Sequence, residues 1–71
     1  MSNSSIDIRV NGEPYSIDVG TCVNTLIERL KLKRGRVAVE LNRAIVPKVQ
    51  WERTVLRPGD VIEVVNFVGG G

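Results

Sequence analysis

Two alternating apolar segments, joined by a dipeptide that favours a tight turn, constrain the fold more than any other feature. In residues 6–10 isoleucine and valine alternate with polar residues, which is the period of a strand with one buried face. Residues 15–19 repeat the pattern with tyrosine, isoleucine and valine. Between them, Asn11 and Gly12 readily take the positive φ angles of a type I′ turn. The chain is therefore predicted to begin with a β-hairpin.

The apolar period then changes from that of a strand to that of a helix. The residues on the apolar stripe are Val23, Leu26, Ile27 and Leu30. Thr21 is predicted to be the N-cap, because its hydroxyl can accept a hydrogen bond from a free amide of the first turn. Gly35 is a suitable C-terminal stop. A single amphipathic helix over residues 21–33 follows from this pattern.

Two shorter strands follow the helix. Residues 36–41 return to an alternating pattern, with valine and leucine on one face. Residues 42–44 are predicted to turn the chain into a short arm at residues 45–46. Pro47 ends that arm because proline cannot donate a hydrogen bond to a strand ladder. A second hairpin is the consequence.

The remainder of the chain is predicted to be an irregular segment followed by the last strand. Residues 47–58 are expected to anchor themselves in the core through Trp51 and Leu56. The sequence RPGD at residues 57–60 has proline and glycine in suitable places for a turn. Residues 61–67, almost wholly apolar, form a strand best placed in the middle of the sheet, beside and parallel to the first. The fold class is α+β, a mixed sheet of about five strands with one main helix across one face.

The last strand presents more apolar side chains than one helix can cover. A continuous apolar run is typical of a strand covered on both faces. If the isoleucine and valine at positions 62 and 64 face the helix, Val65 and Phe67 face away from it. Together with Ala38 they are predicted to form an exposed patch that docks a partner. The alternative is that residues 47–58 fold over the patch.

The end of the sequence consists of glycine: Gly69, Gly70 and Gly71. Ordering glycine costs much backbone entropy, so residues 68–71, like residues 1–4, are expected to be flexible. Four extended residues reach at most roughly 14 Å. The three glycines are predicted to thread into a narrow channel of a partner protein and to present a terminal carboxylate there. The alternative is a frayed or cloning-derived end.

The composition argues against catalysis by the chain itself. Its 71 residues suffice for one domain, residues 1–71, and the absence of His removes Ser-His and Cys-His pairs and imidazole metal ligands. No catalytic residue, bound cofactor or metal site is predicted. The net charge is only +2, and the cations of residues 31–36 are interpreted as a solvated helix end. Neither nucleic acid nor a membrane is expected as a partner.

The single cysteine, Cys22, is informative about the compartment. It cannot form an internal disulfide, which fits a reducing cytoplasm. It is predicted to pack as a small apolar residue against the sheet. The alternative is a redox or sulfur-relay role, because a helix N-terminus would stabilise its thiolate.

Several segments together resemble the small sulfur-carrier proteins of thiamine biosynthesis, the ThiS family, which have the ubiquitin-like β-grasp fold. The matching segments are IDIRVNG at residues 6–12, VAVELN at 37–42, IVP at 45–47 followed by Trp51, LRPGD at 56–60, and the terminal Gly70 and Gly71. Each segment alone is a weak signal. Their order and the total length of the chain make the resemblance specific, and it covers nearly the whole chain.

The resemblance implies a carrier of an acyl group rather than an enzyme. The carboxylate of Gly71 would be adenylated by a ubiquitin-activating-like enzyme (ThiF), which consumes ATP, and converted into a thiocarboxylate with sulfur from a donor protein. Thiazole synthase (ThiG) would then take this sulfur to build the thiazole ring of thiamine. Gly69 adds a third glycine to the pair that the family requires.

Three alternative functions stay open from the sequence. A sulfur carrier of another pathway, such as the small subunit of molybdopterin synthase, would use the same terminal thiocarboxylate. The molybdopterin family tends to carry an aromatic-Pro-Pro segment where residues 65–68 here read VNFV. A ubiquitin-like modifier of protein lysines would need the same tail and the same activation. A nucleic-acid-binding module would be expected to interleave basic clusters with aromatic residues, which this sequence does not.

Overall fold

A five-stranded sheet with one α-helix on one face forms the described part of the chain. The computed structural model describes residues 4–67, so the predictions for Gly69, Gly70 and Gly71 lie outside the described residues. The elements are β1 (Ser5–Val10), β2 (Glu13–Asp18), α1 (Val23–Arg29), β3 (Val37–Leu41), β4 (Ala44–Ile45) and β5 (Val61–Asn66), with short 3-10 turns at Arg34–Arg36 and Lys48–Gln50. The predicted α+β class is confirmed.

The sheet is mixed, and its last strand in sequence lies in its middle. The strand order is β2-β1-β5-β3-β4. The pair β1 and β5 is parallel, whereas β1–β2, β3–β4 and β3–β5 are antiparallel. The predicted position of the last strand, beside and parallel to the first, is confirmed. The end of β5 therefore leaves the sheet from its centre.

The core lies between α1 and one face of the sheet. Its buried residues are Ile8, Val10, Ile17, Val23, Leu26, Ile27, Val37, Val39, Val46, Trp51, Leu56 and Ile62. Trp51 is fully buried and Leu56 is 2 % exposed, so both predicted anchors of residues 47–58 are confirmed. The parity of β5 is also as predicted, because Ile62 is buried and Val64 packs against the core.

The turn before β5 places that strand beside β1. Gly59 has a φ of 84°, which suits the third position of a type II turn that has Pro58 at the second. The Gly59 amide donates to the Asp7 carbonyl at 2.8 Å, and the Arg9 amide donates to the Asp60 carbonyl at 2.9 Å. The predicted turn at residues 57–60 is confirmed, and its backbone starts the parallel pairing.

The prediction of Thr21 as the N-cap is wrong. The Thr21 hydroxyl donates to the Asp18 carbonyl at 2.7 Å, so it closes the preceding turn instead. The N-cap is Cys22, and no side chain caps the helix. Propensity alone could not predict this, because the helix amides are bonded by a distant segment.

Backbone carbonyls of residues 47–58 replace the missing cap. The amides of Val23 and Asn24, in the first turn of α1, donate to the carbonyls of Thr54 at 2.9 Å and Trp51 at 3.2 Å. The Leu56 amide in turn donates to the Thr21 carbonyl at 2.9 Å. This irregular segment thus satisfies the free donors of the helix start while it delivers Trp51 to the core.

The helix ends at Arg29 and not at residue 33, and Gly35 is not its stop. The amides of Lys31 and Leu32 donate to the carbonyls of Glu28 at 3.0 Å and Ile27 at 3.3 Å. Lys31 has a φ of 61°. This is the Schellman closure of a helix, with Lys31 in the left-handed position that glycine usually occupies. The early end turns Leu32 back toward the core.

Replacing Lys31 by glycine is expected to stabilise the fold. A lysine at this φ carries steric strain that glycine lacks, so Lys31→Gly should raise the free energy of unfolding by about 0.5–1 kcal/mol. Lys31→Ala is the matched control, since alanine removes the charge and keeps the strain. Urea unfolding measures both. Equal stabilities of the two variants would contradict the Schellman assignment.

The end of the second strand also differs from the prediction. β2 ends at Asp18, and Val19 is 60 % exposed although the alternating pattern assigned it to the buried face. The pairing with β1 stops at Asp18, and the chain turns at Gly20, whose φ is 92°. The short arm after β3 is Ala44–Ile45, and Val46 packs into the core instead of extending it.

Candidate functional site

The sheet face opposite the helix carries the predicted apolar patch. Ala38 and Val65 are direct partners across β3 and β5. Val65 and Phe67 are each 54 % exposed. The alternative that residues 47–58 cover this patch is wrong, because that segment packs against the start of α1. The patch of Ala38, Val65 and Phe67 is therefore free to contact another protein, and its role in docking stays a prediction.

Two features of this face were not predicted from the sequence. Glu40 and Glu63 are directly opposite each other across β3 and β5, and Ile45 is the partner of Glu40 on β4. Like charges opposite each other on a sheet repel, which makes this an unfavourable pair in the free protein. Ile45 is 64 % exposed and Val61 is 42 % exposed. The strand register, which sequence periodicity does not fix, is what brings these residues beside the patch.

The chain leaves the sheet beside β3. The Phe67 amide donates to the Arg36 carbonyl at 2.6 Å, so the pairing of β5 with β3 continues to the last described residue. The glycines begin two residues later in the sequence. The C-terminal segment, residues 68–71, therefore follows a residue that is hydrogen-bonded to the neighbouring part of the sheet.

Two turn asparagines hold β5, one at its first residue and one at its fourth. Asn11 Oδ1 accepts a hydrogen bond from the Val64 amide at 2.8 Å, and Asn11 Nδ2 donates to the Val64 carbonyl at 3.3 Å. Asn42 Oδ1 accepts from the Val61 amide at 2.9 Å, and Asn42 Nδ2 donates to Asp60 Oδ1 at 3.1 Å. Both have positive φ, as expected of turns. The sequence indicated only the turns, because the targets of the side chains are distant in sequence.

The Asn11 side chain acts as a substitute peptide group where β1 no longer pairs with β5. Asn11→Ala should lower the free energy of unfolding by about 2 kcal/mol, through the two lost hydrogen bonds and the strain of alanine at positive φ. Asn11→Gly relieves that strain and isolates the side-chain contribution, for which we expect about 1 kcal/mol. Urea unfolding and amide exchange at Val64 report the change. Unaltered exchange at Val64 in both variants would show that the contact is not formed.

Cys22 lies at the other end of the helix from the start of the C-terminal segment. It is half-buried, and its Sγ lies 3.4 Å from Thr25 Oγ1. Burial alone would raise the pKa of the thiol, but the Thr25 hydroxyl and the nearby backbone of the first turn outweigh it and place the pKa below its ordinary value. The predicted packing as a purely apolar residue is therefore incomplete. The sulfur-relay alternative has no contact that supports it in the described part of the chain.

Neither a metal-binding cluster nor a membrane-spanning helix occurs among the described residues. Within residues 4–67 no three Asp, Glu or Cys side chains are grouped closely enough to hold a metal ion. The helices in this range are too short, and too polar, to cross a membrane. The described fold has an exposed apolar face and a central last strand, β5, which precedes the terminal glycines in the sequence. These features define a small carrier domain with a β-grasp architecture.

Comparison with known proteins supports this class and identifies the family. The ThiS family matches residues 8–71. Sulfur carrier protein ThiS of Bacillus subtilis (strain 168) is 36 % identical over 66 residues, which are 90 % of this chain and 98 % of that protein. The crystal structure of the thiamine biosynthesis protein ThiS from Geobacter metallireducens has a TM-score of 0.79 at 32 % identity and covers 93 % of this chain and 100 % of that one. The chain belongs to the ThiS family.

A longer relative contains a similar segment. The thiazole synthase of Magnetococcus marinus is 42 % identical over 64 residues, which are 90 % of this chain and 20 % of that protein. The chain thus spans about a fifth of that relative's length. These matches confirm the resemblance and the β-grasp fold, and they favour the thiamine pathway over the molybdopterin alternative.

Proposed function

We propose that this chain carries sulfur for thiazole formation as a thiocarboxylate at the terminal carboxylate of Gly71. As a member of the ThiS family it is a sulfur carrier of thiamine biosynthesis and not itself an enzyme. The observation that carries the proposal is that the family match extends through Gly71 and includes the terminal glycines. The described fold supports it, because the strand that precedes the terminal glycines in the sequence, β5, is the central strand of the sheet.

The carboxyl group of Gly71 would become the acyl group, and a partner enzyme would catalyse its activation. A carboxylate oxygen attacks the α-phosphate of ATP, and pyrophosphate leaves. The carbonyl carbon of the resulting acyl-adenylate is then attacked by hydrosulfide that a donor protein supplies; the C–S bond forms as the C–O bond to AMP breaks, AMP leaves, and the thiocarboxylate remains. Glycine suits this step because a residue without Cβ leaves the carbonyl unhindered and lets the chain enter a narrow channel.

This function requires three proteins besides the carrier, all acting in the cytoplasm. They are a ThiF-like adenylating enzyme, a sulfur donor protein and a ThiG-like thiazole synthase. The longer relative supports the ThiG-like partner, since a segment similar to this chain occurs within that thiazole synthase. The patch of Ala38, Val65 and Phe67 would dock such partners while the three terminal glycines reach the active site.

The first chemical step gives a direct test. The chain is incubated with the adenylating enzyme, MgATP and labelled pyrophosphate, and the label that appears in ATP is measured. We expect exchange that requires the chain. Absence of exchange, while the same enzyme is active with another ThiS protein, would contradict adenylation of this chain.

Truncating Phe67 should weaken docking much more than folding. The ring is 54 % exposed and lies beside the start of the C-terminal segment. Aromatic side chains at interface centres commonly contribute more than 1 kcal/mol, so Phe67→Ala should raise the Kd for the adenylating enzyme about tenfold. Its free energy of unfolding should change by less than about 1 kcal/mol.

Leu26→Ala is the reference for a core substitution. Leu26 is fully buried, so its loss should cost about 2–5 kcal/mol of unfolding free energy. Calorimetry provides the stabilities and titration provides Kd. If Phe67→Ala lowers the melting temperature as far as Leu26→Ala does, the assignment of an exposed docking patch is wrong.

A further inference from the structure

The described chain ends beside a cleft in which half of the lining residues are cationic. The lining residues are Lys31, Leu32, Lys33, Arg36, Asn66 and Phe67. Three of these six side chains are positively charged at neutral pH and none is negative. From the sequence alone this basic run reads as a solvated helix end, whereas the fold brings it against the end of β5. We call this feature the basic cleft.

Backbone hydrogen bonds hold the three cations around the start of the C-terminal segment. The Schellman closure of α1 fixes the backbone of Lys31. The Arg36 amide donates to the Lys33 carbonyl at 2.8 Å, which closes the 3-10 turn between them. The Arg36 carbonyl accepts from the Phe67 amide. The backbone positions of these three residues relative to Phe67 are therefore set by hydrogen bonds of the fold.

The charges of the basic cleft are not neutralised within the described structure. Among residues 4–67 the one ion pair joins Arg29 and Asp18, with 3.7 Å between Nη2 and Oδ2. Arg34, in the same basic run, is engaged elsewhere, because its Nη2 donates to the Lys48 carbonyl at 3.0 Å. Lys31, Lys33 and Arg36 thus form a concentrated positive field with no carboxylate of the described residues within ion-pairing distance.

We infer that the basic cleft docks an acidic segment, rich in Asp and Glu, at the rim of the channel through which the adenylating enzyme receives the terminal glycines. This inference rests on the proposed function. The four residues after Phe67 reach at most roughly 14 Å, so the surface of any enzyme that acts on Gly71 must come close to the cleft. A rim that carries carboxylates would complement the three cations.

The cleft suits an acidic protein segment better than a nucleic acid. Leu32 and Phe67 give it an apolar wall beside the charges, which matches a peptide that mixes acidic and apolar side chains. Single-stranded nucleic acid is usually held by several stacking platforms along a basic groove, and Phe67 is the one aromatic residue of this cleft. The cationic field would also speed association with an acidic rim and orient the carrier before docking.

Charge reversal in the cleft tests this inference. Association of the full chain with the adenylating enzyme is followed by stopped-flow fluorescence for wild type and for Lys33→Glu combined with Arg36→Glu. Arg53→Glu is the control, since Arg53 is exposed and lies next to Thr54, which bonds the opposite end of α1. The double variant of Lys33→Gln and Arg36→Gln removes the two positive charges without adding negative ones, and it should therefore have a smaller effect. Urea unfolding of every variant checks the fold.

We expect the double reversal to lower the association rate constant at least tenfold at low salt, and Arg53→Glu to change it less than twofold. The difference should shrink as salt screens the charges. Pyrophosphate exchange with Arg53→Glu should stay within about twofold of wild type, because Gly71 is intact and Arg53 is not among the residues that line the basic cleft.

Equal association rates for the folded double reversal and the Arg53→Glu control would overturn the inference while leaving the carrier function in place. Binding of single-stranded RNA can be measured for the same variants. The inference would also be overturned if the wild type binds RNA, the double reversal does not, and association with the enzyme is the same for both. Absence of exchange with wild type would instead contradict the proposed function, and the inference with it.

Discussion

Deleting Gly71 is expected to abolish the carrier function and leave the fold intact. The deletion transfers the terminal carboxylate to Gly70, about 3.5 Å short of its original position. A displacement of even about 1 Å from a reactive geometry can cost about a hundredfold in rate, so pyrophosphate exchange should fall by at least that factor. The buried residues lie between Ile8 and Ile62, so the free energy of unfolding should not change.

Two further variants separate the effect of the position of the carboxylate from the effect of the bulk of the tail. Addition of one glycine after Gly71 displaces the carboxylate in the other direction and should also abolish exchange. Gly70→Trp keeps the length but places a bulky side chain in the channel, and it should be inactive for steric reasons. If the deletion variant retains wild-type exchange, the carboxylate of Gly71 is not the group that is activated.

Replacing Trp51 by alanine is expected to have the largest effect on stability. The ring is fully buried, its Nε1–H donates to the Val46 carbonyl at 2.9 Å, and the Arg34 guanidinium lies 5.2 Å from the ring centroid. Large-to-small core substitutions of this kind cost about 3–5 kcal/mol. A chain of this length is stable by only roughly 4–11 kcal/mol. Trp51→Ala should therefore lose a large share of the free energy of unfolding, as measured by urea unfolding.

Val49→Ala is the control from the same segment. Val49 is 82 % exposed in the 3-10 turn that precedes Trp51, so its truncation should change stability by less than about 0.5 kcal/mol. Trp51→Phe keeps a large apolar group and leaves the Val46 carbonyl without its donor, for an expected loss of about 1–3 kcal/mol. Similar unfolding curves for Trp51→Ala and Val49→Ala would show that residues 47–58 do not anchor the core.

The elements that depend on local pattern were predictable. The turn at Asn11 and Gly12 and the alternation on either side of it gave the first hairpin. The change to a helical period placed α1, and the apolar character of residues 61–67 placed β5 in the centre of the sheet. In each case the signal lies within about ten consecutive residues, so tertiary context did not override it.

The ends of the helix were not predictable because tertiary contacts set them. Thr21 has the propensity of an N-cap, but carbonyls of residues 47–58 take up the first amides of α1. At the other end Lys31 adopts a φ that usually requires glycine, and this closes the helix before the predicted stop at Gly35. Both depend on how Trp51 and Leu32 pack, which sequence propensity does not encode.

The candidate site was predicted only in part for the same reason. Parity along one strand was enough to place Val65 and Phe67 on the exposed face. The opposed Glu40 and Glu63 depend on the register of β3 with β5, and the basic cleft depends on the contact of Arg36 with Phe67. Such features join residues that are more than twenty positions apart. Only the folded structure brings them together.

Intact-mass measurement of the chain tests the central claim most directly. The full chain is incubated with the adenylating enzyme, MgATP and the sulfur donor, and its mass is compared with that of the Gly71 deletion variant. Exchange of oxygen for sulfur at the terminal carboxylate adds about 16 Da. We predict this increase for the wild type, with fragmentation placing it on Gly71, and none for the variant. An unchanged wild-type mass, with enzyme and donor active on another ThiS protein, would contradict the account.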